Sequence, residues 1–241
     1  MPPCEAKHGL GAWSVGAEGL LAPHRARKAG IVAAVTTRTL GDMKRASRRR
    51  EAAARAGLAG RPVFVLDQVH GSTIALDRDA AEGACEADGW VVGGRSGAFG
   101  VFIADCLPLF LWPRSGAAAG VFHVGWRGAE AGMPEKAVAA MRERLGAKPE
   151  ELCAAIGPHI GACCYVVGED VASRFHPGSA IRREGKTYFD LSRDVARRLR
   201  ESGVGEANIE EGGGCTFCRE DLYYSRRREP AGHMLAFVGI A

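Results

Sequence analysis

No apolar run in this 241-residue chain approaches the ~20 residues a helix needs to cross a bilayer, so no helical membrane span is expected. The opening stretch, Met1 to Lys28, mixes Gly, Pro, His and charges and has no signal-peptide apolar block. A cytoplasmic protein without a membrane partner is the expectation. An excess of one charge is also missing: 32 Lys and Arg stand against 28 Asp and Glu, and a net +4 is too weak to imply nucleic acid. The densest basic run, Lys44-Arg45, Arg48-Arg49-Arg50 and Arg55, lies in an Ala-rich stretch that reads as the solvated face of a helix. Familiar catalytic signatures are absent. There is no H-E-x-x-H, no G-x-S-x-G and no Walker loop. No His is followed two residues later by Glu, and Gly214 rather than Pro precedes Cys215-x-x-Cys218, so the zinc cytidine-deaminase pattern fails. Repeats, low-complexity linkers and charge blocks are lacking as well, which leaves one domain over 1–241 as the expectation.

Among what is present, eight cysteines would allow four disulfides, yet a chain of this length with 46% hydrophobic residues can bury a core without them. Reduced thiols are therefore expected. Cys163-Cys164 and Cys215-x-x-Cys218 offer four thiols from two loops to a structural zinc, although adjacent cysteines are poor ligand spacing.

Short β-rich runs recur at Ile31–Val35, Pro62–Leu66, Gly89–Val92, Gly100–Ala104, Leu107–Trp112, Gly120–Val124 and His233–Ile240. Helices are expected over Asp42–Leu58, over Ala129–Leu145 with Gly146 closing it, and after Asp190, which caps Leu191, Val195 and Leu199. The strands between Gly100 and Val124 leave no room for crossover helices. This predicts an α+β fold with a mixed or largely antiparallel sheet and flanking helices.

Three compact motifs carry the chemistry: Gln68-Val69-His70-Gly71, Ala104-Asp105-Cys106 and His123-Val124-Gly125-Trp126-Arg127-Gly128. His70, Cys106 and His123 make a two-imidazole, one-thiolate donor set, which suits zinc with one coordination position open. They are too far apart in sequence for a zinc finger and need a folded core to meet. Asp105 is a candidate general acid or base, an acceptor orienting a ligating His, or a turn carboxylate holding backbone amides. In the third motif a strand runs into two glycines, the flat wall of Trp126, and Arg127 near a helix start, an arrangement that suits phosphate. Thr36-Thr37-Arg38 adds a second cation at another strand end.

In order and spacing, these motifs resemble the YfiH-like, laccase-domain or polyphenol-oxidase-like family, better described as zinc-dependent purine nucleoside phosphorylases. The resemblance extends to Asp88-Gly89, Ile156-Gly157-Pro158, Cys164-Tyr165, Phe189-Asp190-Leu191, Cys215-Thr216 and Tyr224-Ser225 with Arg227-Arg228. Ile103, Val124 and Arg226 depart from the family's usual Thr, Ala and Tyr. The resemblance implies metal ligation by His70, Cys106 and His123, one catalytic zinc, and a fold related to deamidating toxins that use a Cys-His pair. It implies phosphorolysis of adenosine, inosine, guanosine and methylthioadenosine, with deamination of adenosine to inosine. Purine nucleosides and phosphate are then the partners, with Arg38, Gln68 and Arg127 as candidate substrate-binding residues and Cys106, His123 and Asp105 as candidate catalytic ones. Oligomeric state is open, with a monomer as the expectation.

Two rival chemistries follow from the same residues. A copper polyphenol oxidase would need further His-rich sites, and the chain has seven His in all. A metal-free hydrolase would use Cys106 as nucleophile and His123 as base.

Overall fold

The computed structural model describes residues 10–80, 85–94, 96–229 and 231–240. Most of the opening stretch Met1 to Lys28 is covered, but residues 1–9, Cys4 among them, lie outside the described part, as does residue 241 of the 1–241 span. In chain order the strands are β1 Trp13–Val15, β2 Leu20–Pro23, β3 Ile31–Thr36, β4 Val63–Val65 and β5 Ile74–Leu76. There follow β6 Gly89–Val92, β7 Ala98–Ile103, β8 Leu107–Pro113, β9 Ala119–Val124 and β10 Leu152–Ile156. Last come β11 Val166–Val167, β12 Ala180–Arg183, β13 Lys186–Phe189, β14 Ile209–Glu211 and β15 Met234–Ile240. The helices are α1 His24–Lys28, α2 Ala46–Ala53, α3 Trp126–Glu130, α4 Met133–Leu145, α5 Glu169–Ala172 and α6 Leu191–Glu201.

The fold is α+β with mixed sheets, as the sequence predicts. One sheet has the order β1-β2-β3-β15-β7-β4, a second β14-β10-β8-β9-β6-β5, and a small third β11-β13-β12. Most neighbours are antiparallel, while β4 with β7, β5 with β6 and β10 with β14 are parallel. The two large sheets pack face to face. Alternation along the strands shows it: Phe110 and Trp112 of β8 join Phe99 and Val101 of β7 in a core between the sheets. On the outer faces, Leu107, Leu109 and Leu111 of β8 meet Met133, Ala137 and Met141 of α4 and Val195 of α6. Phe102, Leu235 and Phe237 meet Ala52 and Ala53 of α2 on the other side. Strands buried on both faces have no polar alternation, which is why they read as continuous apolar runs. Each fully buried Phe or Leu contributes roughly 1.5–3 kcal/mol relative to exposure.

Several boundaries differ from expectation for identifiable reasons. The helix expected over Ala129–Leu145 is two helices, α3 and α4, because Gly132 at φ 80° breaks it; Gly146 closes α4 at φ 66° as predicted. Within the Asp42–Leu58 stretch, Asp42 instead accepts from the backbone N–H groups of Lys44 and His233, so the helix begins at Ala46. Its basic face is solvated and internally paired, with Arg48 and Arg55 both on Glu51. Asp190 caps α6 by accepting from Arg193 N–H at 3.1 Å. β7 and β8 do not pair, although only three residues separate them. The chain leaves the first sheet at Ile103 and enters the second at Leu107, turning through Asp105 at φ 93°. Among the described residues no helix is long and apolar enough to cross a membrane.

Candidate metal centre

The crossing between sheets delivers Cys106 to the lip of the second sheet. β8 and β9 are antiparallel with Pro108 opposite His123, so His123, near the end of β9, lies beside the start of β8. β6 pairs with β9 from the other side, Gly89 opposite Phe122, and Asp88 continues that ladder by accepting from His123 N–H through its carbonyl at 2.7 Å. β5 runs parallel to β6, and the loop before β5 carries His70. Four strand ends thus converge. One donor atom from each of His70, Cys106 and His123 falls within 4.8 Å of the others, and the imidazoles meet edge to face with centroids 4.8 Å apart. His123 is buried, Cys106 half-buried and His70 exposed, so the cluster opens on the His70 side.

Asp88, wholly buried, organises two of the three. Its Oδ1 accepts from His70 N–H at 3.0 Å and lies 2.8 Å from His123 Nδ1, and its Oδ2 accepts from Gly71 N–H at 2.6 Å. The pairing with His123 Nδ1 leaves Nε2 for the cluster. The two backbone bonds hold His70 at φ 59°, a left-handed conformation that a non-glycine residue adopts only when its surroundings impose it. Burial works against the Asp88 carboxylate ion, but the bonds from His123, Gly71 and His70 hold its pKa below the usual value. The sequence shows Asp88 as part of the Asp88-Gly89 motif; its orienting role is not legible there.

Cys106 and His123 are electrostatically linked. Burial opposes ionisation of the Cys106 thiol, yet His123 charge and hydrogen bonds from His123 and His70 lower its pKa to about 6. Burial likewise opposes the imidazolium, but Cys106 and Asp88 raise His123 to about 9. Without a metal the pair is a thiolate–imidazolium near neutral pH. A divalent cation held by these donors would take the place of that proton. The donor set fits such an ion: a readily formed thiolate, an imidazole with its far nitrogen fixed, and Gly125, where a Cβ would stand 3.1 Å from Cys106 Sγ.

The other sequence candidates divide. Asp105 uses both carboxylate oxygens on the turn, accepting from Thr216 Oγ1–H at 2.7 Å and Arg227 N–H at 2.7 Å, while its carbonyl accepts from Ile160 N–H. Of the roles open to it, holding the turn matches this geometry, and the His-orienting role belongs to Asp88. Gln68 accepts from Phe102 N–H at 2.6 Å and donates to Phe102 C=O at 2.9 Å, so both polar ends tie the His70 loop to β7. Arg38 donates to Glu220 C=O, lies 3.8 Å from Glu229 and stacks over Tyr224, on the loop that also contains Arg227. Arg127 is exposed and lies 4.3 Å over the Trp126 ring.

Two residues that sequence reasoning left without a role border the cluster. Burial raises the Tyr165 pKa, helped by the Cys106 and Asp105 charges and opposed by those of Arg227 and Arg127. Arg227 stacks over Tyr165 at 5.7 Å and donates to Val166 C=O. The motif Cys164-Tyr165 and the pair Arg227-Arg228 were the available signals. A cavity of about 330 Å³ lined by His159, Gly161, Ser192, Glu211 and Cys215, among others, touches none of the three donors.

Residues 30–241 match the family model described as multi-copper polyphenol oxidoreductase laccase. A protein of Deinococcus radiodurans named purine nucleoside phosphorylase is 34% identical over 81% of this chain and 77% of its own. Purine nucleoside phosphorylase YlmD of Geobacillus stearothermophilus is 31% identical over 72% and 70%. The crystal structure of YlmD from that organism superposes with a TM-score of 0.86 at 27% identity, covering 95% of this chain and 99% of that one.

Proposed function

The chain belongs to the family described as multi-copper polyphenol oxidoreductase laccase, and on that premise we propose that it is a zinc-dependent purine nucleoside phosphorylase that also deaminates adenosine. The reading is carried by the meeting of His70, Cys106 and His123 in one open cluster, together with relatives that bear the phosphorylase name. These three residues would hold zinc, which would supply Lewis-acid chemistry there.

The chain's own residues supply the rest. Asp88 fixes the His123 tautomer and the His70 backbone, so the donor atoms do not reorganise during turnover. Arg227, stacked over Tyr165, and Arg127, whose charge also reaches that phenol, hold phosphate for attack on C1′ of the ribose; Arg38 extends the positive edge through the 219–229 loop. Tyr165 keeps its proton at neutral pH and donates a hydrogen bond to the departing purine. Phosphate adds to C1′ as the glycosidic C–N bond breaks, and the proton that hydrogen phosphate gives up ends on the departing purine nitrogen, giving the free base and ribose 1-phosphate.

The family's name points to copper, but the donor sets favour zinc. Among the described residues, the groups able to hold a metal are this cluster and a set of four cysteines. Neither is the His-rich assembly that oxygen reduction by several coppers requires. A second reading, a metal-free Cys-His hydrolase, draws on the thiolate–imidazolium pair.

The deciding experiment incubates metal-analysed protein with adenosine, inosine, guanosine and methylthioadenosine, with and without phosphate, and separates the products by chromatography. Free base and ribose 1-phosphate only in the presence of phosphate, lost in Cys106→Ala, is the expected result. Inosine formed from adenosine without phosphate reports the deamination. No base release from any nucleoside removes the proposal, and turnover undiminished after zinc removal favours the hydrolase.

A further inference from the structure

Cys163, Cys164, Cys215 and Cys218 play no part in the chemistry above, yet among the described residues they form the second tight donor cluster. All four Sγ atoms lie within 4.8 Å of one another, with Cys164 to Cys218 at 3.3 Å and Cys163 to Cys218 at 3.8 Å. Zinc–sulfur bonds of ~2.3 Å in a tetrahedron place sulfurs ~3.8 Å apart, so the cluster has nearly the size of an occupied four-thiolate site. A disulfide needs ~2.05 Å, and none of the seven described cysteines is in one.

Backbone geometry removes the objection to adjacent ligands. Gly161 C=O accepts from both Cys164 N–H and Tyr165 N–H, and this turn brings the thiols of Cys163 and Cys164 to the same neighbour. On the second loop Arg219 N–H donates to Cys215 C=O, closing a turn that folds the Cys-x-x-Cys pair onto one side. The surroundings suit a dianionic metal thiolate. Gly161 N–H donates to Cys215 Sγ at 3.2 Å. Arg183 donates to the carbonyls of Ala162 and Cys163, and Arg228 to those of Thr216 and Phe217, so each loop is tied to a cation through its backbone.

We infer that these four cysteines bind a structural zinc ion that clamps the 161–165 turn to the 215–218 turn. Each turn passes directly to a residue of the candidate centre: Cys164 precedes Tyr165, and Cys215 precedes Thr216, whose hydroxyl holds Asp105 in the turn bearing Cys106. The ion therefore fixes one wall of the open cluster without touching substrate. The inference stands apart from the proposed activity, since it concerns different ligands.

The test counts metal in two full-length variants purified under reducing conditions. His70→Ala/Cys106→Ala/His123→Ala leaves the four thiols intact and retains about one zinc per chain. Its cobalt-substituted form shows the strong thiolate-to-metal absorption of a tetrahedral four-sulfur site. Adding Cys163→Ser and Cys218→Ser abolishes both signals. A triple variant that is folded by circular dichroism and carries no zinc overturns the inference, as does a Cys164–Cys218 disulfide found by mass spectrometry in protein kept from oxidants.

Discussion

Replacing Asp88 by Asn tests how the candidate centre is held. The side chain keeps its shape and its burial but loses one acceptor. Oδ1 faces two partners, His70 N–H and His123 Nδ1, and Oδ2 faces Gly71 N–H at 2.6 Å. If the new amide group takes the Oδ2 position, two donors meet. If it takes the Oδ1 position, it donates to His123 Nδ1, moves the imidazole proton to Nε2 and removes that nitrogen from metal ligation. Either way at least one bond to a charged acceptor is lost, worth about 1.5–3 kcal/mol. At 1.4 kcal/mol per decade this weakens zinc binding roughly 10–150-fold. Competition against a chromophoric chelator measures the affinity, circular dichroism confirms folding, and nitrogen NMR of His123 reads which ring nitrogen carries the proton. A folded Asp88→Asn protein that binds zinc within twofold of wild type and keeps the Nδ1-protonated tautomer refutes the argument.

Other outcomes follow from neighbouring observations. In metal-free protein, alkylation of Cys106 rises with pH around a midpoint of about 6, because the thiolate persists until protonation overcomes its partners; zinc suppresses it, and an ordinary thiol midpoint contradicts the ion pair. The Cys106 contribution to metal-free stability is lost as pH falls through about 6 and the His123 contribution as pH rises through about 9, so between those limits the two offset each other and thermal melts show little pH dependence from this pair; a steep dependence there contradicts the shared proton. Arg127→Ala raises the KM for phosphate several-fold with a smaller change for nucleoside, read from initial rates; equal changes for both would remove Arg127 from phosphate binding. Phe110→Ala opens a cavity between the two large sheets and lowers unfolding free energy by about 3–5 kcal/mol in urea.

The contrast between Asp88 and the three donors shows how far sequence alone reaches. His70, Cys106 and His123 were legible because thiol and imidazole sit in compact motifs at strand ends, and the doubly buried strands announced themselves as apolar runs. β10, Leu152–Ile156, escaped because Ala154 and Ala155 dilute its apolar signal, and β5 because three residues carry little periodicity. The passage from one sheet to the other at Asp105 leaves no local trace, since a left-handed non-glycine turn is imposed by distant partners rather than by its own residue type. Asp88 likewise has a role only through bonds made across the sheet. The gathering of Cys163 and Cys164 with Cys215 and Cys218 is hidden for the same reason: spacing in sequence says little once a turn reverses the chain between the side chains.

The turn at Asp105 has a kinetic meaning. Every donor of the open cluster lies between residues 70 and 123, but the carboxylate that shapes the Cys106 turn is gripped by Thr216 and by the Arg227 backbone, 111 and 122 residues further along. Contacts of such long range form late, after the slow closure of large loops. During synthesis the three donors emerge well before the segment that sets their geometry. Metal binding at the open cluster would then wait until the carboxy-terminal loop has docked, and a chain cut short before Thr216 would keep all three donors and lack the means to arrange them.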